Sequence, residues 1–312
     1  MSLMSNVSPS TNREIFSASV CPFCSFSNWS PAFRRRDRIF HRCDNCGARL
    51  QLQPIVKPEW ESYESGEFAS RIIAHLGTQP DFGKLSEIRC YLHGTSLLEI
   101  GPGTGHLMAA AAAEGFRVTG IDLSSANREF IRSTWGIDTL SVPIEANELP
   151  ENSQENVLSF NCLEHIRDVR AHVTAVARVL VPGGRFLIST CNANALAARM
   201  VGKWWSMYGT EDHVCIPTTT SLRKLGALVG LQPVRIWSSE YPLETPAGLF
   251  VAWRSWMHER KASTAQNETP TSHGSRSSAA RRMIKSKWFA PVGNSISAFG
   301  LGGSIKVVYC KP

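Results

Sequence analysis

The sequence predicts an α/β fold, in which a sheet is flanked by helices, together with a small metal-binding module near the N-terminus. The first observation behind this prediction is a strand, a glycine turn, a helix and a second strand that follow one another over residues 97–124. The second is a pair of C-x-x-C motifs before residue 50. With 312 residues, 43% of them hydrophobic, the chain can bury a sizeable core.

The first strand ends near Glu99 and leads into the glycine turn, Gly101–Gly105. An alanine-rich helix follows, and then a second strand, Arg117–Ile121, which ends in Asp122. Small residues let a nucleoside cofactor approach the backbone of such a turn, and a carboxylate at the tip of the second strand accepts hydrogen bonds from ribose hydroxyls. The alternative is a strand-to-helix turn that binds no ligand.

The spacing within the glycine turn argues against a dinucleotide cofactor. The dinucleotide fingerprint is G-x-G-x-x-G, whose third glycine permits close packing of helix and strand. Here that position holds His106, and the last glycine comes one residue earlier, at Gly105. The resulting E-x-G-x-G-x-G pattern therefore fits a NAD site poorly.

Four segments resemble, in the correct order, the motifs of class I S-adenosylmethionine-dependent methyltransferases. One is the glycine turn, and the others are Val142–Pro150 (VPIEANELP), Cys162–Asp168 (CLEHIRD) and Ala175–Thr190 (AVARVLVPGGRFLIST). The resemblance implies a Rossmann-like seven-stranded sheet flanked by helices. Its last strand, at about residues 302–309, would be antiparallel to the others.

The resemblance also implies that the cofactor is S-adenosylmethionine. In that family the glycine turn packs against the methionine part and the ribose of the cofactor. Glu145 aligns with an acid that accepts the adenine amino group, and Ala146 with a nearby backbone contact. The predicted cofactor-binding residues are Glu99, Gly101, Gly103, Gly105, Asp122, Leu123, Glu145, Ala146 and Asn161.

Methyl transfer from a sulfonium is an in-line displacement, so the enzyme mainly has to align donor and acceptor. A base is needed only where the acceptor must lose a proton. His165 and His213 are the predicted catalytic residues, since an imidazole with a pKa near ~6.5 suits a base at neutral pH. The alternatives are that His165 orders the loop over the cofactor and that His213 contacts the acceptor.

A catalytic magnesium ion is not predicted. Some relatives, among them quinone O-methyltransferases and small-RNA 2′-O-methyltransferases, carry E-x-x-E-H and bind a divalent metal there. In this chain Asn161 replaces the first acid of that motif, which leaves Glu164 and His165. The loss of one carboxylate weakens a site for a hard cation.

The two C-x-x-C motifs consist of Cys21, Cys24, Cys43 and Cys46. Two such pairs at this separation predict a structural zinc site, in which metal binding supplies the folding energy of a short segment. A redox pair and a chance pattern are the alternatives. The other five cysteines are predicted to be small buried apolar residues: Cys90, Cys162, Cys191, Cys215 and Cys310.

The chain divides into an N-terminal tail and zinc ribbon, residues 1–57, and a methyltransferase domain, residues 58–312. Within the second, residues 241–301 are predicted to form an excursion between the last two strands, with a mobile loop at 261–282. No apolar run approaches the ~20 residues that span a bilayer, and the start does not resemble a signal peptide, so we expect a cytoplasmic protein. The oligomeric state is not predicted.

The sequence favours a small-molecule methyltransferase, with a sugar or cell-surface polysaccharide precursor as the acceptor suggested by similar domain arrangements. One alternative is an RNA methyltransferase. The net charge of +7 includes basic clusters at 34–38 and 276–287, which would bind RNA together with the ribbon or form solvated surface. Another alternative is a protein that binds S-adenosylmethionine without catalysis.

Overall fold

The computed structural model describes residues 20–35, 38–51, 72–74, 77–210, 212–239, 253, 257 and 300–312. The strands described are β1 (Trp29–Arg35), β2 (Arg38–Cys43), β3 (Arg49–Gln51), β4 (Ser96–Ile100), β5 (Arg117–Ile121), β6 (Thr139–Leu140), β7 (Gln154–Phe160), β8 (Leu180–Cys191), β9 (Cys215–Ile216), β10 (Gln232–Ser239) and β11 (Ser304–Cys310). Among the described residues, the helices longer than three residues are α1 (Phe82–Ile88), α2 (His106–Ala113), α3 (Ser125–Trp135), α4 (Val169–Val179), α5 (Leu196–Val201), α6 (Ser206–Gly209) and α7 (Thr219–Leu228).

The main sheet has seven strands in the order β10-β11-β8-β7-β4-β5-β6. Strand β4 pairs in parallel with β5 and β7, and β6 and β8 continue the sheet in parallel on either side. Strand β11 lies between β8 and β10 and is antiparallel to both. The predicted α/β class, the seven strands and the antiparallel last strand are thus confirmed.

Helices cover both faces of the main sheet, as buried parallel strands require. All five residues of β4 are buried. Because side chains alternate along a strand, Leu97 packs on the face covered by α1 and α2, whereas Leu98 packs with the apolar residues of α4 and α7. Because β4, β5, β7 and β8 run parallel, their carboxyl ends lie at one edge of the sheet.

The second sheet combines the N-terminal module with one strand of the following region. Its order is β1-β2-β3-β9, and the neighbouring strands are antiparallel. Strand β9 lies between β8 and α7 in the sequence, so the module shares a sheet with a segment far along the chain. The proposed domain boundary at residue 57 lies outside the described residues.

Several predictions concern parts of the chain outside the described residues. The mobile loop at 261–282 lies wholly outside them, as does the basic cluster at 276–287. Of the excursion at 241–301, only residues 253, 257, 300 and 301 are described. In the described part of the chain, no helix is long and apolar enough to cross a membrane.

The five cysteines outside the C-x-x-C motifs differ in burial. Cys191 and Cys215 are buried, as predicted, and Cys162 and Cys310 are partly exposed. The prediction is wrong for Cys90, which is exposed because it lies in the short 3-10 turn after α1 rather than on the apolar face of that helix.

Candidate active site

The glycine turn connects β4 to α2 at the carboxyl edge of the main sheet. Gly101, Gly103 and Gly105 all have φ between 59° and 71°, a left-handed conformation that favours glycine. Gly105 is also required sterically, since a Cβ atom there would lie 2.9 Å from Ile131 Cγ1. The last glycine of the turn therefore lets α3 pack against the start of α2.

Asp122 follows β5 and holds the glycine turn from the neighbouring strand. Its carboxylate accepts hydrogen bonds from the backbone N–H of Gly103 (3.2 Å), the backbone N–H of Ser124 (2.9 Å) and the Asn127 side-chain amide (3.2 Å). Burial raises the pKa of Asp122 from 3.8 to about 6, although these hydrogen bonds oppose the shift. The carboxylate thus lies beside the turn and is hydrogen-bonded to the Gly103 N–H.

Glu99 is buried in β4, just before the glycine turn. Burial raises its pKa to about 7; the charge of Lys84 opposes the shift and that of Asp122 adds to it. Its Oε2 atom has no hydrogen-bond partner among the described residues. A buried carboxylate oxygen without a donor is costly, so this atom is suited to receive a donor from a ligand.

Replacing Glu99 with glutamine is expected to stabilise the ligand-free protein at pH 8. The folded-state pKa lies above the ordinary value of 4.5, so the cost of ionisation grows as the pH rises from 4.5 to about 7 and is fully present above it. At about 1.4 kcal/mol per unit, this cost is about 3 kcal/mol. Thermal unfolding at pH 8 and pH 5 measures it.

The melting temperature of Glu99→Gln should exceed that of the wild type at pH 8, and the difference should shrink at pH 5. Glu148→Gln, at an exposed position, is the matched control and should change neither value. An equal difference at both pH values would show that Glu99 does not titrate between them.

Lys84 lies close to Glu99 and was not among the residues predicted from the sequence. It lies on α1, and its ammonium is 4.6 Å from the centroid of the Phe160 ring. Its positive charge acts to lower the pKa of Glu99, against the larger effect of burial. A cavity of about 590 Å³ opens beside it, with Ser189 and Trp237 among the lining residues. No local motif marks this lysine, because its position next to the glycine turn depends on how α1 packs.

The remaining predicted cofactor residues are accessible at the same edge of the sheet. Leu123 is 37% exposed, and Ala146 and Asn161 are also exposed. Asn161 directly follows β7 and has a left-handed φ of 52°, which asparagine tolerates better than most residues. Glu145 Oε1 lies 2.8 Å from His172 Nδ1; despite burial, which acts in the other direction, this hydrogen bond lowers the pKa of Glu145.

The two predicted catalytic histidines lie side by side but in different surroundings. Their ring centroids are 5.0 Å apart. His165 Nδ1 lies 3.3 Å from the Asp212 carboxylate and 3.1 Å from the Asp212 carbonyl oxygen. His213 is buried, its Nδ1 lies 2.9 Å from the Met207 carbonyl oxygen, and burial lowers its pKa. His165 is therefore the better placed of the two to exchange a proton.

Glu164 precedes His165 in the chain, and its carboxylate lies close to the His213 ring. It is buried, and its Oε2 atom accepts a 2.7 Å hydrogen bond from the Thr190 hydroxyl. Possible ligand atoms of His165, Asp212 and His213 lie within 4.8 Å of one another, as do those of Glu164, Cys191 and His213. Either trio has the chemistry to hold a metal ion, which the replacement of an acid by Asn161 did not suggest.

The four cysteines of the C-x-x-C motifs converge on one point. Their Sγ atoms lie within 4.8 Å of one another, with 3.6 Å between Cys21 and Cys46 and the same distance between Cys24 and Cys43. Each pair occupies a tight turn, and Gly47 closes the second one with φ of 75°. Four thiols in this arrangement form a ligand set suited to tetrahedral zinc.

The sequence matches the model of a known protein family. A family model described as a methyltransferase domain matches residues 60–236, which is more than half of the chain. The chain therefore belongs to this methyltransferase family, as the order of its motifs predicted.

Curated relatives include ubiquinone biosynthesis O-methyltransferases. That of Idiomarina loihiensis is 31% identical over 160 residues, which are 46% of this chain and 65% of the relative. That of Dinoroseobacter shibae is 34% identical over 152 residues, which are 45% of this chain and 61% of the relative. The chain thus spans less than two thirds of the length of these two relatives.

Solved structures of methyltransferases have the same fold. A SAM-dependent methyltransferase from Thermotoga maritima gives a TM-score of 0.53 at 15% identity and covers 81% of this chain and all of its own. Phosphoethanolamine N-methyltransferase 2 of Haemonchus contortus, solved with S-adenosyl-L-methionine, gives 0.52 at 19% identity, covering 85% of this chain and 63% of its own. At these identities the likeness concerns the fold alone.

Proposed function

We propose that this protein transfers a methyl group from S-adenosylmethionine to a hydroxyl group of a small molecule. The observation that carries the proposal is that Glu99, near the end of β4, lies at the same edge of the sheet as Asp122 and the His165–Asp212 pair, which follow neighbouring strands. Ligands bind at the carboxyl edge of such sheets. The named activity of the curated relatives, O-methylation, supports a hydroxyl acceptor.

The residues at the glycine turn fit the cofactor in charge. Asp122 would accept hydrogen bonds from the ribose hydroxyls, and the Oε2 atom of Glu99, which has no partner among the described residues, would accept one from the α-ammonium group. Lys84 would attract the α-carboxylate. Glu145 and Ala146 would contact the adenine. When bound, the cofactor supplies an activated methyl group on its sulfonium.

His165 is proposed as the general base. With Nδ1 of His165 3.3 Å from the Asp212 carboxylate, the Nε2 atom would accept the proton of the acceptor hydroxyl, and the Asp212 carboxylate would stabilise the resulting imidazolium. His213 is assigned a supporting role, because its Nδ1 atom is already engaged by Met207.

The four cysteines are proposed to bind one structural zinc ion, and a cytoplasmic location is proposed because such thiols must stay reduced.

The RNA alternative receives less support. Arg35 and Arg38 of the basic cluster are 7% and 5% exposed, so their guanidinium groups are not surface contacts for phosphate. A sugar nucleotide and an aromatic diol are the acceptors that we would compare first.

The base assignment is tested by His165→Ala, assayed for methylation of 3,4-dihydroxybenzoate and UDP-glucose. We expect turnover to fall by ~10²–10⁴-fold, the usual effect of losing a general base. Affinity for S-adenosylhomocysteine, measured by calorimetry, should stay within about twofold, because Asp122 and Glu99 are unchanged. The exposed His93 is a matched control, and His93→Ala should behave like the wild type.

Wild-type turnover in His165→Ala would remove the base assignment. Loss of turnover in wild-type protein treated with EDTA, restored by magnesium or manganese, would favour a metal at the histidine pair instead. If the wild type binds S-adenosylhomocysteine but methylates none of a broad panel of hydroxyl acceptors, the non-catalytic alternative is correct.

A further inference from the structure

The N-terminal module contacts the segment that carries the candidate base partner. We call residues 20–51 the cysteine module and residues 206–218 the histidine segment. Strand β3 of the module pairs with β9, with Arg49 opposite Ile216 and Leu50 opposite Cys215. Next along the strand, the Gln51 N–H donates to the Val214 carbonyl oxygen at 2.8 Å. The shared sheet therefore reaches the residue that follows His213.

The same path continues to the loop after β7. The Val214 N–H donates to the Glu164 carbonyl oxygen at 2.9 Å, so one residue of the histidine segment joins the module to the loop that holds His165. The Arg167 side chain from that loop also donates to the Gln51 carbonyl oxygen, at 3.3 Å. The loop and the module thus hold the histidine segment from two sides.

Arg38 of β2 makes the most specific of these contacts. It is only 5% exposed, and its two terminal nitrogens donate to the carbonyl oxygens of Thr210 (2.6 Å) and Tyr208 (2.8 Å). A planar guanidinium can bridge two carbonyl groups in a fixed geometry. Because Thr210 lies two residues before Asp212, Arg38 fixes the backbone from which the Asp212 carboxylate reaches His165.

The two turns that contain the cysteines also form hydrogen bonds with the histidine segment and with α4. Thr218 caps α7 at the end of the histidine segment, and its hydroxyl donates to the Cys46 carbonyl oxygen at 2.7 Å. Arg170 on α4 donates to the carbonyl oxygens of Cys21 (2.9 Å) and Pro22 (3.1 Å). The two turns that contain the cysteines are therefore hydrogen-bonded to α4, which follows His165, and to the residue before α7, which follows His213.

We infer that the cysteine module is a positioning element for the His165–Asp212 pair and that Arg38 is its positioning residue. The inference rests on the proposed methyl transfer. The hydrogen bonds that hold Asp122 come from Gly103, Ser124 and Asn127, none of which belongs to the module. Disturbing the module should therefore lower turnover while leaving cofactor affinity unchanged.

The test compares Arg38→Met with Arg42→Met, which removes an exposed arginine from the same strand. For each variant, zinc content, calorimetric affinity for S-adenosylhomocysteine, and kcat and KM with the best wild-type acceptor are measured. We expect Arg38→Met to lose at least tenfold in kcat, with zinc retained and cofactor affinity within twofold. Arg42→Met should match the wild type, and Arg38→Lys should be intermediate.

Thr218→Val provides a second variant in case Arg38→Met does not fold, since it removes the bond to Cys46 from the opposite side. It should likewise lower kcat and spare cofactor affinity. Unchanged kcat in the folded Arg38→Met protein, or in Thr218→Val where Arg38→Met fails to fold, overturns the inference. A parallel loss of cofactor affinity also overturns it. A wild-type protein inactive with every acceptor overturns the proposed function instead.

Discussion

Replacing Asp122 with alanine is expected to weaken the binding of S-adenosylhomocysteine by at least ~100-fold. The carboxylate both holds the Gly103 N–H in place and would accept hydrogen bonds from the ribose. A hydrogen bond to a charged group contributes ~1.5–3 kcal/mol, so the loss of two such bonds costs ~3–6 kcal/mol. Each 1.4 kcal/mol is about tenfold in affinity. Isothermal titration calorimetry measures the change.

One further variant separates the charge of Asp122 from its shape, and a second is an exposed control. Asp122→Asn keeps the size of the side chain but removes its charge, and it should lose most of the affinity. Asp138→Ala, at an exposed position between α3 and β6, should bind like the wild type. Undiminished affinity in a folded Asp122→Ala protein would exclude Asp122 from the cofactor site.

Loss of metal from the four-cysteine cluster is expected to have the largest effect on stability. Structural zinc contributes apparent free energies of ~10–16 kcal/mol in small modules, which is comparable with the stability of a whole domain. Even a fraction of this should lower the melting temperature by at least ~10 °C, because 1 kcal/mol corresponds to about 2–4 °C in domains of 150–250 residues. Metal analysis should find one zinc per chain, lost in Cys43→Ser.

The exposed Cys90 provides the control for this experiment. Cys90→Ser should keep both the zinc and the wild-type melting temperature. A metal-free wild-type protein that unfolds at the same temperature with and without added zinc would show that the cluster is not a structural zinc site.

The cofactor half of the site was predictable because its residues are close in sequence. The glycine turn, β5 and Asp122 lie within 22 residues, counted from Gly101 to Asp122, and their types and spacing already specify a strand, a turn and an acid at a strand end. Strand β5 begins and ends where the sequence predicted. Such local patterns leave few alternative arrangements, since each glycine and the acid has a distinct steric or hydrogen-bonding role.

The acceptor half could be predicted only as a set of candidates. His165 was predicted as a catalytic residue, but nothing in the 46 residues between His165 and Asp212 specifies that these two side chains meet. The bonds from Arg38 to the histidine segment join residues more than 160 positions apart. From the sequence, Arg38 was expected to bind RNA or to form solvated surface with the rest of its basic cluster, because charge alone does not reveal which guanidinium will be buried against backbone carbonyls.

The most direct test of a single methyl-transfer site is a crystal structure of the protein with S-adenosylhomocysteine bound. We expect the ribose hydroxyls within hydrogen-bond distance of the Asp122 carboxylate. The position vacated by the methyl group should face a space bordered by His165. A ribose away from Asp122, or a vacated position that opens away from the His165–Asp212 pair, would contradict the proposed function.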